Sequence, residues 1–188
     1  MILFDKCPNL TFSDFKFNAT MYISQITARG ANNEIGKGNG LLWHLPIDTK
    51  WFFDTVRGHP IIMGRKSMEG LGAALPENIN IVISRHPENV WAGFHWVPSV
   101  KEALTLAAPY TVDNEVFIMG GGEIYAAALP VSNRLYLTEV HGTFADADAF
   151  YPAVDLTEWQ RVFFEPHPID AEHHYAFDFT IWERIKIM

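Results

Sequence analysis

Short apolar runs alternate with helical patterns along this chain, and the alternation predicts most of an architecture. Tyr22–Ala28 (YISQITA) is rich in β-branched residues and stops at Arg29-Gly30, which predicts a first strand. Pro60–Gly64 (PIIMG), Asn80–Ser84 (NIVIS) and Glu115–Gly120 (EVFIMG) are short, nearly continuous apolar runs. Such runs are expected of strands covered on both faces. Arg134–Val140 (RLYLTEV) predicts another strand, and the alternation from Trp159 to Ile185 predicts two antiparallel ones. Between them, helical patterns cover Ile47–Val56 behind Pro46, Arg65–Leu71, Ser99–Ala107 and Gly121–Leu129.

Strands that take turns with short helices imply βαβ units. The expected class is α/β: a single domain with a mixed, mostly parallel central sheet, flanking helices and antiparallel C-terminal strands. A length of 188 residues suits one such domain. Residues 1–20 lie outside the pattern and read as an N-terminal extension, with the domain over 21–188. Gly30–Gly40 (GANNEIGKGNG) is too long for a tight turn and too glycine-rich for a helix, so it reads as a loop, either functional or a plain connector.

Composition narrows the function. A formal net charge of −8 opposes binding to nucleic acid or to an anionic membrane surface, both of which need a basic face. Cys7 is the one cysteine, so no internal disulfide and no thiolate metal cluster can form. The N-terminal segment is interrupted by Asp5, Lys6, Asp14 and Lys16, and no apolar run is long enough to span a membrane. A cytoplasmic protein is expected. The histidines raise a metal site around His167, His173 and His174, but neighbours on a strand point to opposite faces, so no metal is expected.

Ligands of open α/β sheets sit beyond the carboxyl ends of the strands. Met119–Tyr125 (MGGGEIY) lies there, where a strand turns into a helix. Its glycines fit either a tight turn or the close approach of backbone to a phosphate. Gly64-Arg65-Lys66-Ser67 and Ser84-Arg85-His86 each set cations beside a hydroxyl. Singly they read as solvated basic turns. Together, in a chain with only 14 Lys+Arg, they favour NADPH over NADH, because a 2′-phosphate is what such donors bind. Asp48 sits in an apolar stretch (LLWHLPIDTKWFF), with Trp51 and Phe52 on its face of the helix. An acid in a first turn suits the helix dipole by itself. Its convergence with the loop and the glycine turns makes it the candidate centre.

The segments Trp43–Asp48 (WHLPID), Pro60–Arg65 (PIIMGR), Val82–Ser84, Met119–Tyr125 and Leu135–Thr138 stand in the order and spacing of the dihydrofolate reductase family. The chain resembles that family over roughly residues 21 to 186. The resemblance implies hydride transfer from NADPH to C6 of a 7,8-dihydropterin, with a proton to N5, in a monomer whose partner is that small molecule. It implies that Asp48 pairs with the 2-amino group and N3 of the pterin, supported by Thr138, with Trp43 ordering a water and Leu41 gating solvent. Ile26, Thr27, Ala28, Phe52, Leu71, Met119 and Tyr125 would wall the pterin site. The loop Gly30–Gly40 would close over the nicotinamide, with Ala28, Ile35, Gly36 and Gly40 against it. Gly64, Arg65, Lys66, Ser67, Ser84, Arg85, Gly120, Gly121, Gly122, Glu123, Ile124 and Tyr125 would hold the rest of the cofactor. Asp146 and Asp148 would contact the mobile loop, or form a solvated acidic turn.

Three positions depart from the family's pattern. Asn78, Phe53 and Ala73 stand where basic residues usually meet the glutamate tail. The reading is therefore a dihydrofolate reductase with a weakened or altered tail site. The alternatives are a reductase of another dihydropterin such as dihydromethanopterin, a ribosylaminopyrimidine reductase (which Asp48 argues against), or a module that binds NADPH or pterin without turnover.

Overall fold

A computed structural model describes residues 21–85 and 91–185. The N-terminal extension, His86 of the basic turn, and the last three residues lie outside the described residues.

Eight strands form one sheet in the order β5-β4-β3-β6-β1-β7-β10-β9. They are β1 (Tyr22–Arg29), β3 (Ile61–Gly64), β4 (Asn80–Ile83), β5 (Phe94–Val97), β6 (Glu115–Ile118), β7 (Arg134–Val140), β9 (Trp159–His167) and β10 (Phe177–Arg184). All pairs from β5 to β7 are parallel, and β10 runs antiparallel to both β7 and β9. The expected mostly parallel sheet with antiparallel C-terminal strands is what forms.

The apolar runs are continuous because helices cover both faces. Side chains alternate along β3, so Ile62 enters one core while Ile61 and Met63 enter the other. Helices α3 (Val100–Ala107) and α4 (Gly122–Ala128) close the first face with Ala103, Leu104, Tyr125 and Ala128. Helices α1 (Pro46–Val56) and α2 (Arg65–Leu71) close the second with Val56 and Met68. Ser99 is the N-cap of α3 rather than its first residue; its hydroxyl accepts from the Glu102 amide.

Three strands escaped the sequence pattern. β5 has only four residues, one of them the exposed His95, which blurs an apolar run. The loop Gly30–Gly40 is also more ordered than a connector. Its β2 (Glu34–Gly36) pairs antiparallel with β8 (Ala149–Phe150). Further, His173 and His174 lie in the connection between β9 and β10, not on a strand. Their divergence survives this correction: His173 is buried and His174 exposed.

Candidate active site

The first turn of α1 meets β7 through Asp48 and Thr138. Asp48 comes from the first turn of α1 and is 9% exposed. Thr138 of β7 is fully buried, lies between Ala28 of β1 and Phe179 of β10, and donates its hydroxyl to Asp48 Oδ1 at 2.6 Å. Helix α1 is fixed over this point by Trp51, whose ring stacks on Phe179 at 4.4 Å. Burial pushes the Asp48 carboxyl up to about 6, against the Thr138 hydrogen bond, which lowers it. A carboxyl so placed is poised near neutrality, as at sites that move or hold protons.

Around it, Thr27, Ala28, Phe52, Leu71 and Met119 are half-buried, as the walls of an open cleft would be. Trp43 is buried against Phe144, ring centroids 4.9 Å apart, and its Nε1 makes no hydrogen bond to the described residues. That leaves a directed donor beside the carboxylate-bearing helix. Leu41 is 66% exposed at the end of the loop. Ile26 and Tyr125 differ from the rest. Both are buried, and the Tyr125 hydroxyl is committed to the Ile26 carbonyl at 2.7 Å. Tyr125 therefore backs the wall and does not present its polar end to the cleft.

The loop is held by charges at both ends. Arg29 forks onto Glu139 at 2.8 and 2.9 Å and reaches Asn33 at 2.8 Å. Lys37 pairs with Asp146 at 2.7 Å, and the Gly38 amide donates to Asp148 Oδ2 at 3.0 Å. Asp146 and Asp148 thus do contact the loop. Gly36 is buried and Ile35 half-buried, while Gly40 and Lys37 exchange backbone hydrogen bonds.

The glycine turn is tight. The Gly64 amide donates to the Gly120 carbonyl at 2.6 Å. Gly120 has φ of 102°, and a Cβ there would lie 2.7 Å from the Tyr125 ring. A Cβ on Gly122 would lie 2.4 Å from the Phe150 carbonyl. These two glycines are thus demanded by packing alone. Gly121 is less confined: its Cβ would meet only Ser67 Oγ, at 3.5 Å. Ser67 is half-buried beside it, whereas Arg65, Lys66, Arg85 and Glu123 are exposed, and Ile124 packs on Gly64. Arg65 pairs with Glu69, one turn along α2.

The family model described as dihydrofolate reductase matches residues 22–184. The chain belongs to the dihydrofolate reductase family. It is 38% identical over 164 residues to the dihydrofolate reductase of Haemophilus influenzae, covering 87% of this chain and 99% of that one. It is 37% identical over 162 residues to that of Bacillus subtilis, covering 86% and 94%. The solved dihydrofolate reductase from Enterococcus faecalis, complexed with NADP(H) and RAB-propyl, superposes with a TM-score of 0.81 at 31% identity. It covers 88% of this chain and 97% of its own.

Within this dihydrofolate reductase fold, one of the three departures, Asn78, acquires a structural explanation. The Asn78 side-chain amide donates to the Val56 carbonyl at 2.5 Å and to the His59 carbonyl at 2.7 Å. Both of its donors are spent on the end of α1, so it has none left to offer a substrate tail. Phe53 is 40% exposed with its ring edge against Phe52, and Ala73 is exposed. Sequence reasoning missed Phe144, Glu139 and Glu34, and weighed His173 only as a metal ligand. Each acts through a partner distant in sequence, and nothing local marks it.

Proposed function

We propose that the protein reduces 7,8-dihydrofolate to 5,6,7,8-tetrahydrofolate with NADPH, placing hydride on C6 and a proton on N5. The activity is the family's, and the observation that carries it to named residues is the buried Asp48–Thr138 hydrogen bond. When bound, NADPH supplies the hydride.

The chain's own residues supply orientation and proton control. Thr138 occupies one oxygen of Asp48, and the remaining acceptor sites suit the two donors of the pterin's amidine-like edge. Trp43 Nε1 would hold a water near that edge, and Leu41 would limit solvent at N5. Because the carboxyl's affinity for protons is raised by burial, it can favour N5-protonated substrate through solvent near neutral pH. The apolar ring of Phe52, Leu71 and Met119 excludes bulk water from the face where hydride moves.

The cofactor reading fits the residues present. Gly121 keeps backbone open beside Ser67, and the exposed Lys66 and Arg85, with Arg65 and Ser84, would take up the 2′-phosphate. Ala28, Ile35, Gly36 and Gly40 would face the nicotinamide side. In this reading the protein is a monomer, and the lone cysteine supports a reducing, cytoplasmic setting. Residues 21–188 form the catalytic domain in this reading, with residues 1–20 an extension.

The test is loss of NADPH absorbance when the protein meets 7,8-dihydrofolate, beside a dihydropterin lacking the glutamate tail. Turnover of dihydrofolate supports the reading. Turnover of the tail-less pterin alone would assign another substrate, and saturable NADPH binding with no oxidation of either would leave only a binding module.

A further inference from the structure

Helix α1, which carries Asp48, begins without a cap from its own sequence. Its N-cap residue is Leu45, no side chain there accepts a hydrogen bond, and Pro46 occupies the first turn. Apolar N-caps are poor ones, since the first amides are left without acceptors. The Ile47 amide, next to Asp48, finds its acceptor elsewhere: it donates to Nε2 of His173 at 3.3 Å.

His173 arrives from the connection between β9 and β10 and is 1% exposed. Its Nδ1 lies 2.8 Å from Asp170 Oδ1. That same oxygen accepts the amides of Glu172 and His173, each at 2.8 Å, so the carboxylate is firmly placed. The His173 hydrogen bond is the main cause holding the Asp170 carboxyl below its ordinary range. A backbone amide can only donate. Nε2 must therefore carry the lone pair, and the ring proton sits on Nδ1, facing Asp170. Packing against the Phe177 ring, 5.5 Å between centroids, fixes the imidazole's plane.

We propose that His173, oriented by Asp170, is a positioning residue for Asp48: it serves as the missing N-cap of α1 from across the fold. Thr138 holds the side chain of Asp48 and His173 holds the backbone one residue before it. The two anchors come from β7 and from the β9–β10 connection. Losing either lets the carboxylate drift, and displacements of this kind at a reacting centre are costly in rate. The proposal rests on the dihydrofolate reductase reading of the site.

The test compares His173→Phe, which keeps a ring but no acceptor, with His173→Gln, whose amide oxygen can stand near the place of Nε2. Both are assayed well below their unfolding temperatures. The expected result for His173→Phe is a loss on the order of 10-fold in kcat/KM for dihydrofolate, with NADPH affinity within about twofold of the parent. His173→Gln should recover most of the loss. Unchanged kinetics in His173→Phe, or equal losses toward NADPH and dihydrofolate, would overturn the proposal. So would a His173→Gln variant as impaired as His173→Phe. Should His173→Phe fail to fold, Asp170→Ala carries the test. Its half-exposed side chain can be removed without opening the core, and the freed imidazole loses its fixed tautomer. A selective drop in dihydrofolate turnover then supports the role, and parental kinetics refute it. A parent protein that never oxidises NADPH would instead defeat the functional reading, which separates the two failures.

Discussion

Thr138 and Asp48, ninety residues apart in sequence, meet through a 2.6 Å hydrogen bond that fixes an otherwise costly buried carboxylate. The hydroxyl satisfies one oxygen, yet burial still dominates and leaves the carboxyl easier to protonate than in water, up to about 6. Function and stability therefore pull against each other at this residue.

Replacing Asp48 by Asn should separate them. Hydride transfer is expected to fall by on the order of 10²-fold near neutral pH, with a smaller loss in acid, where N5 is protonated without help. NADPH affinity should hold. Stability should move the other way. The folded-state value lies above the ordinary 3.8, so the folded protein binds the proton more tightly than the unfolded chain does. Asp48 is then neutral in both states below about pH 4, and its penalty grows through the window to about pH 6 and persists above. Asn removes that penalty. The gain should reach on the order of 3 kcal/mol above the window and vanish below it, as read by thermal unfolding at several pH values.

How much of this was legible in the sequence follows from the range of the forces involved. Strands β3 and β6 announced themselves because burial on both faces leaves no polar position in the run Ile61-Ile62-Met63, and only Glu115 in β6. Asp48 stood out as an acid in an apolar stretch, whereas Thr138 was legible only through its family motif; neither periodicity nor composition joins residues so far apart. Glu34 was not singled out at all, although it is 3% exposed and accepts the Asn32 and Phe144 amides at 2.7 and 2.9 Å. An acid in a Gly/Asn-rich stretch looks like a solvated loop residue until the partner chain segment is known. β5 was lost for a related reason, since its register partners in β4 supply the order its own sequence lacks.

The cofactor turns permit a test of selectivity. Lys66 and Arg85 are exposed just beyond the ends of β3 and β4, adjacent parallel strands, and in the proposed reading both would meet the 2′-phosphate. A charge-assisted contact contributes on the order of 2 kcal/mol, so Lys66→Ala or Arg85→Ala should weaken NADPH binding by about tenfold or more. Binding of NADH, which lacks the 2′-phosphate, should change little. Fluorescence titration with both cofactors checks the difference. Parallel losses for the two would move the phosphate site elsewhere.

The loop contacts differ in kind, and substitutions should reveal it. Lys37 and Asp146 are both more than half exposed, so their ion pair is screened by salt. Lys37→Ala should be nearly silent at physiological ionic strength. Asp148 instead accepts a backbone amide, that of Gly38, at 3.0 Å, and this fixes the loop's shape as well as its charge. Asp148→Ala is expected to slow hydride transfer by ~10-fold through a less ordered closure, with faster amide exchange at Gly38. A stopped-flow measurement of the hydride step beside hydrogen exchange would show both effects or neither.

Asn78 offers the sharpest contrast between position and role. In the family pattern its place belongs to a cation for the substrate's tail, yet here both side-chain donors bind the carbonyls of Val56 and His59. Val56 ends α1, so these bonds tie the helix that bears Asp48 to the turn before β4. Asn78→Ala should therefore cost stability, about 1–3 kcal/mol from carbonyls left without partners. It should leave the KM for dihydrofolate within about twofold, because no charged contact to the tail is lost. Were Asn78 instead a tail ligand, the same substitution would raise that KM while a pterin without a tail went unaffected. Chemical denaturation and steady-state kinetics on the two substrates decide between them. A stability loss with an unchanged ratio of the two KM values places the residue in the scaffold. It also means that any charge meeting the glutamate comes from a position other than 53, 73 or 78.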